Sequence, residues 1–177
     1  VAVFAAGTLA VSEHSRAALA LLAALWAVTW WTADRGRDVD GRGQSAGWLA
    51  AGVLYIGLAG IALIELRHDN AAGQANVLFL FLVVWASDIG AYMAGRFFGG
   101  PRIAPAVSPN KTWSGAGGGL VAAMLVGVGM AMLLAPGGAG RAAAVAAMLG
   151  VAAQAGDLLE SWIKRHFEVK DTSALIP

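Results

Sequence analysis

The sequence has 177 residues, 58% of them hydrophobic and 13% charged, with a formal net charge of +1 and a mean hydropathy of +0.66. That balance excludes an ordinary water-soluble domain and marks a membrane protein. Cysteine is absent, which excludes a disulfide framework and a thiolate metal site.

Apolar runs of roughly 18 to 22 residues, long enough to cross a hydrocarbon core, define five spans and one fragment. The fragment is Val1 to Val11; the spans are Ala17 to Ala33, Ala46 to Leu66, Ala75 to Gly95, Gly115 to Ala135 and Arg141 to Glu160. The chain opens at Val1 inside an apolar run and ends at Pro177 without a terminal helix, so both ends read as cut, and no cleavable signal peptide is recognised. Arg35, Arg37, Arg42, Arg96, Arg102, Lys111, Lys164, Arg165 and Lys170 fall on one side of these spans; Arg16, Arg67 and Arg141 fall on the other. Nine cations against three, alternating loop by loop, place the richer side in the cytoplasm. Trp26, Trp30, Trp31, Trp48, Trp113 and Trp162 lie near span ends, as an aromatic belt requires. Glycine and alanine dominate the last two spans and allow helices to approach closely. The expected fold is all-α: a polytopic transmembrane helix bundle with cytoplasmic catalytic loops. It forms a single transmembrane domain, with N-terminal helices over residues 1–74 and catalytic helices over 75–177.

Asp88 interrupts the run NVLFLFLVVWASDIGAYMAG. A carboxylate deep in a bilayer costs about 2.5–3.5 kcal/mol, so a buried polar site is expected around it. Tyr92 at i+4 shares its face, and the alternative is a charge paired with an arginine for packing alone. Next comes the long loop from Arg96 to Gly115, containing SPNKTWSG. Connections of this length without structure of their own are functional or disordered. Ser108, Lys111 and Thr112 supply two hydroxyls and an ammonium beside the start of a helix, a set suited to phosphate. It is not a Walker A loop, because GxxxxGK[ST] is absent.

The last stretch, GDLLESWIKRHFEVKD from Gly156 to Asp171, follows an almost uncharged run. As a helix it places Asp157, Ser161 and Lys164 at i, i+4 and i+7, on one face that could hold a cation and a phosphate together. The alternative is a charged end where a membrane helix meets water. His14, His68 and His166 stand at no metal-ligand spacing and read as solvated, with His166 the one phosphate neighbour.

WASDIGAYMAGRFFGG, SPNKTWSG and GDLLESWIKRHFEVKDTSALIP, in that order, closely resemble the phosphatidate cytidylyltransferase (CDP-diacylglycerol synthase) family over about Ala75 to Pro177. Ser161, Lys164-Arg165, Lys170-Asp171, Ser173 and Ile176-Pro177 match the spacing of that family's signature. The resemblance implies transfer of CMP from CTP to phosphatidate in phospholipid biosynthesis, giving CDP-diacylglycerol and pyrophosphate. It implies Mg2+ on Asp157, phosphate groups on Lys164, Arg165 and Lys170, and a phosphate or metal-bound water on Ser161. Asp171 is expected to orient Lys170 or support the metal. Asp88 and Tyr92 are expected to line a substrate cavity between the third and fifth complete spans, with Ser108, Lys111 and Thr112 closing it. The family's signature continues past the proline into His-Gly-Gly and Asp-Arg-hydrophobic-Asp segments, whereas this sequence stops at Pro177. The resemblance therefore implies that this chain supplies half a metal site and is inactive alone.

CTP, phosphatidate and the membrane lipid bilayer are the expected partners; a homodimer is left open and no nucleic acid is expected. The expected location is the bacterial inner membrane, with the active site facing the cytoplasm. A CTP-dependent lipid or polyprenol kinase of the same superfamily, and an ion-coupled transporter, remain as alternatives.

Overall fold

The computed structural model describes residues 15–35, 46–68, 72–134 and 138–167. Among these residues there are five helices: α1 (Ser15–Arg35), α2 (Ala46–His68), α3 (Gly73–Phe98), α4 (Trp113–Leu134) and α5 (Ala139–His166). A two-stranded antiparallel sheet, β1 (Arg102–Ala104) and β2 (Ser108–Thr112), sits between α3 and α4 in the chain. The chain is an integral membrane protein. Gly47–His68, Gly73–Phe98, Trp113–Leu133 and Ala139–His166 are each long and apolar enough to cross a bilayer. No more than 17% of the most apolar window of any of them is buried within the protein. Apolar side chains such as Trp85, Leu125 and Met148 point outward instead, which is stable only against lipid or another apolar surface. The apolar part of α1, Ala17–Thr32, is shorter than these four, so the expected span there is the weakest of the five.

The chain divides into two compact units, Val1–Val77 and Leu78–Pro177. In the first, α1 and α2 pack through buried Ala18, Leu22 and Ile61, with Leu21, Val53, Leu54 and Ile64 around them. Gly57 leaves the room that the Leu22 side chain fills. Among the described residues of this unit, every fully buried side chain is apolar.

In the second unit the helices come together through small residues. A Cβ on Gly119 would stand 2.7 Å from the Ser87 carbonyl oxygen, and one on Gly115 2.8 Å from that of Ala91. Gly90 faces Ala122 in the same seam. Small residues at these spacings let α3 and α4 approach backbone to backbone, the usual basis of helix association in lipid. Buried Val83, Ala123 and Ala146 join α3, α4 and α5, with Phe79, Val126 and Leu149 packed against them.

The stretch expected to be an irregular loop is a hairpin. Gly99 and Gly100 take φ of 61° and 107°, a left-handed backbone that ends α3 and that only glycine adopts readily. The Gly99 N–H donates to the Gly95 carbonyl at 3.0 Å. The strands then pair with Arg102 opposite Thr112 and Ala104 opposite Ser108, with an irregularity between. Pro109 lies in β2, which a two-stranded sheet tolerates because both of its strands are edges.

Candidate functional site

The site forms where the hairpin, the start of α4 and the last third of α5 meet. The hydrogen bonds around the hairpin fix its place. Thr112 precedes α4, and its Oγ1 accepts from the Gly115 N–H at 3.1 Å, a side-chain cap on a helix start. Thr112 Oγ1 and Ser114 Oγ stand 3.0 Å apart, and the Ser114 hydroxyl donates to the Gly99 carbonyl. The Trp113 N–H reaches the Pro101 carbonyl at 3.1 Å. The end of α3 and the start of α4 are thereby tied together, and β2 runs past α5.

SPNKTWSG, already tied to the end of WASDIGAYMAGRFFGG through Ser114 and Gly99, also meets the third motif. The Lys111 ammonium, from SPNKTWSG, forms an ion pair with Oδ2 of Asp157, from GDLLES. One turn further along α5, the Lys164 Nζ lies 2.7 Å from Glu160 Oε1. The lysine side chains are the more covered partners, 24% and 32% exposed, against 58% for Asp157 and 60% for Glu160. The helix continues to His166, so Asp157, Ser161 and Lys164 lie on one helix as expected. Lys164, Arg165 and His166 occupy its last turn, where cations are favoured by the helix dipole. His166 stacks on Trp162 with ring centroids 5.7 Å apart.

Behind the ion pairs is a polar contact inside the three-helix seam. The Gln154 amide donates to the Ala116 carbonyl at 3.2 Å and to Ser87 Oγ at 3.4 Å, and Ser87 is fully buried. Gln154 is one turn before Asp157, so its two bonds fix the rotation of α5 at the site. Between α3 and α5 at this level the space is filled, with Gly150 set against Ser87, Leu120 and Ala123.

Asp88 departs from expectation. It is exposed instead of buried, and Tyr92 beside it is 69% exposed. The reason is rotational: successive helix residues differ by about 100°, and it is Ser87, not Asp88, that points into the seam. Ser108 is half-buried in β2. The hydroxyl of Thr112 is engaged in the helix cap. Lys170 and Asp171 lie outside the described residues.

Sequence reasoning missed Glu160, Ser114 and Gln154 as parts of this arrangement. Gln154 carried a signal, being the only uncharged polar side chain between Arg141 and Asp157; polar groups in such runs commonly bond a neighbouring helix. Among the described residues no group of three or more His, Asp or Glu could by itself hold a metal ion.

Comparison with known proteins agrees with the motifs. The phosphatidate cytidylyltransferase of Brucella suis biovar 1 (strain 1330) is 48% identical over 131 residues, 74% of this chain and 48% of the relative. That of Staphylococcus saprophyticus subsp. saprophyticus is 37% identical over 144 residues, 76% of this chain and 51% of the relative. The chain thus spans about half the length of the curated relatives it matches. No solved structure matches it significantly. The model of the cytidylyltransferase family matches residues 1–177, and the chain belongs to that family.

Proposed function

We propose that this chain is part of a CTP:phosphatidate cytidylyltransferase of a bacterial inner membrane, its site facing the cytoplasm. The observation that carries the reading is the Lys111–Asp157 pair, which joins two motifs 46 residues apart at the end of the bundle richer in cations. Relatives named for this activity support it, as does the asymmetry of Lys and Arg between loops.

In the reaction, a phosphatidate phosphate oxygen attacks the α-phosphorus of CTP. A new P–O bond forms, the bond to the β-phosphate breaks, and pyrophosphate leaves. Two polyanions must meet, so neutralisation and positioning carry the catalysis. Lys111, Lys164 and Arg165 bind phosphate oxygens, and Ser161 donates a hydrogen bond beside them. Lys170 adds a further cation, and Asp171 is assigned either to orienting it or to supporting the metal. Ser108 borders the hairpin side of the site, and Thr112 acts through the cap that holds Lys111 in place. Asp88 and Tyr92 lie on an open face of α3, available to the lipid or to parts of the protein beyond this chain. The acyl chains remain in the hydrocarbon while the headgroup reaches the cations.

The donor set fits magnesium delivered with the nucleotide. Asp157 is an exposed carboxylate, and Mg2+ is commonly held by one or two carboxylates with phosphate oxygens and water completing its shell. Asp157 would hold the ion, which would neutralise charge on the CTP phosphates.

The test is turnover of radiolabelled CTP with phosphatidate in detergent, with and without magnesium, on a protein extended to the length of the relatives. A chloroform-soluble cytidine product with release of pyrophosphate is expected. Release of CDP with a phosphorylated lipid would instead identify a CTP-dependent kinase, and ion flux without CTP a transporter.

A further inference from the structure

Two of the lysines assigned to phosphate are already paired with carboxylates of α5: Lys111 with Asp157 and Lys164 with Glu160. We propose that these pairs are a stored, charge-neutral state of the site, and that a nucleotide arriving with a divalent cation exchanges their partners. The proposal rests on the reading of Lys111 as a phosphate ligand and Asp157 as a metal ligand. It adds Glu160 as a positioning residue that the sequence did not single out.

The exposures explain why the pairs form this way round. Each ammonium is the more covered member of its pair, and a partly buried cation without a counter-charge is unfavourable. Each carboxylate is the more open member, within reach of a cation from solution. A divalent ion and an ammonium cannot occupy the same carboxylate oxygen without like-charge repulsion. When the metal takes Asp157, Lys111 is released, and its flexible stem carries the ammonium to a phosphate. Lys164 leaves Glu160 for the same anion. Metal alone takes Asp157 from Lys111, and nucleotide alone takes the lysines from both Asp157 and Glu160; with both bound, only the exposed Glu160 has given up its partner. Metal and nucleotide therefore assist each other's binding, and by linkage the assistance is reciprocal.

The experiment uses the full-length protein in detergent, with Mn2+ as a paramagnetic stand-in for magnesium. Bound and free Mn2+ are measured by electron paramagnetic resonance without nucleotide, and CTP binding by calorimetry with and without Mn2+. In the unaltered protein, Mn2+ is expected to tighten CTP binding about fivefold or more. Lys111→Met is expected to tighten binding of Mn2+ alone several-fold and to shrink that coupling. Lys111→Arg keeps the charge and should behave as the unaltered protein, and adding Asp157→Asn to Lys111→Met should remove the gain. Glu160→Gln, an exposed change on α5, should raise affinity for CTP measured without metal. Unchanged Mn2+ affinity in Lys111→Met, or unchanged CTP affinity in Glu160→Gln, overturns the exchange while leaving the functional reading standing. Failure of the unaltered protein to bind CTP with Mn2+ overturns both.

Discussion

The two units of the chain solve different packing problems with similar material. In the first, α1 and α2 meet through side chains, with Leu22 filling the space above Gly57 and, among the described residues, only apolar side chains fully buried. In the second, α3 and α4 meet at the backbone itself, with Gly115 and Gly119 against carbonyls of α3, and a serine and a glutamine are enclosed with them. A side-chain interface needs only matching apolar volume and tolerates drift. A backbone interface has one register, and it is the second unit that carries a hairpin, a capped helix start and two ion pairs at its end. The difference teaches that the small residues of α3 and α4 set the position of Lys111 and Asp157, beyond holding helices together in lipid.

The largest effect that would sharpen this contrast is on activity. Asp157→Asn in the full-length enzyme is expected to lower turnover by at least about a hundredfold while circular dichroism stays unchanged; retained turnover would remove Asp157 from the site. Gly119→Ala forces a methyl toward the Ser87 carbonyl, which cannot yield, and is expected to cost about 1–3 kcal/mol in unfolding from detergent. Gly57→Ala meets only the flexible end of Leu22 and should cost less. Equal losses at the two glycines would erase the distinction between the units. Thr112→Val removes the cap on α4 and is expected to cost about 1 kcal/mol, with Thr112→Ser restoring most of it. Gln154→Leu is the smallest change, about 0.6 kcal/mol, read as a lowered melting midpoint.

The helices were legible because a bilayer asks for little more than an apolar run of sufficient length. Their ends were not. Hydropathy stops at Glu160, yet α5 runs on to His166, because charged residues beyond the hydrocarbon still make helical hydrogen bonds. The three motifs were legible as separate carriers of chemistry, but the contact between Lys111 and Asp157 was not, since neither motif states where the other lies. The hairpin escaped because Pro109 and the flanking glycines read as a loop, and its pairing depends on Ser114 and Thr112 fastening the ends of α3 and α4. Asp88 shows the complementary limit. Its composition signals cost in a membrane, but one step of about 100° separates the buried face of Ser87 from the open one.

SPNKTWSG is seated on α5 with Lys111 against Asp157. The sequence contains no cysteine, so a full-length version cleared of any other cysteines and carrying Lys111→Cys with Asp157→Cys can be treated in membranes with a short bifunctional thiol reagent. Rapid intramolecular cross-linking of that pair is predicted, with far slower reaction when Lys111→Cys is combined with Val151→Cys, on an exposed position of α5 nearly two turns away. Equal rates for the two pairs, or no cross-link between positions 111 and 157, would contradict the account.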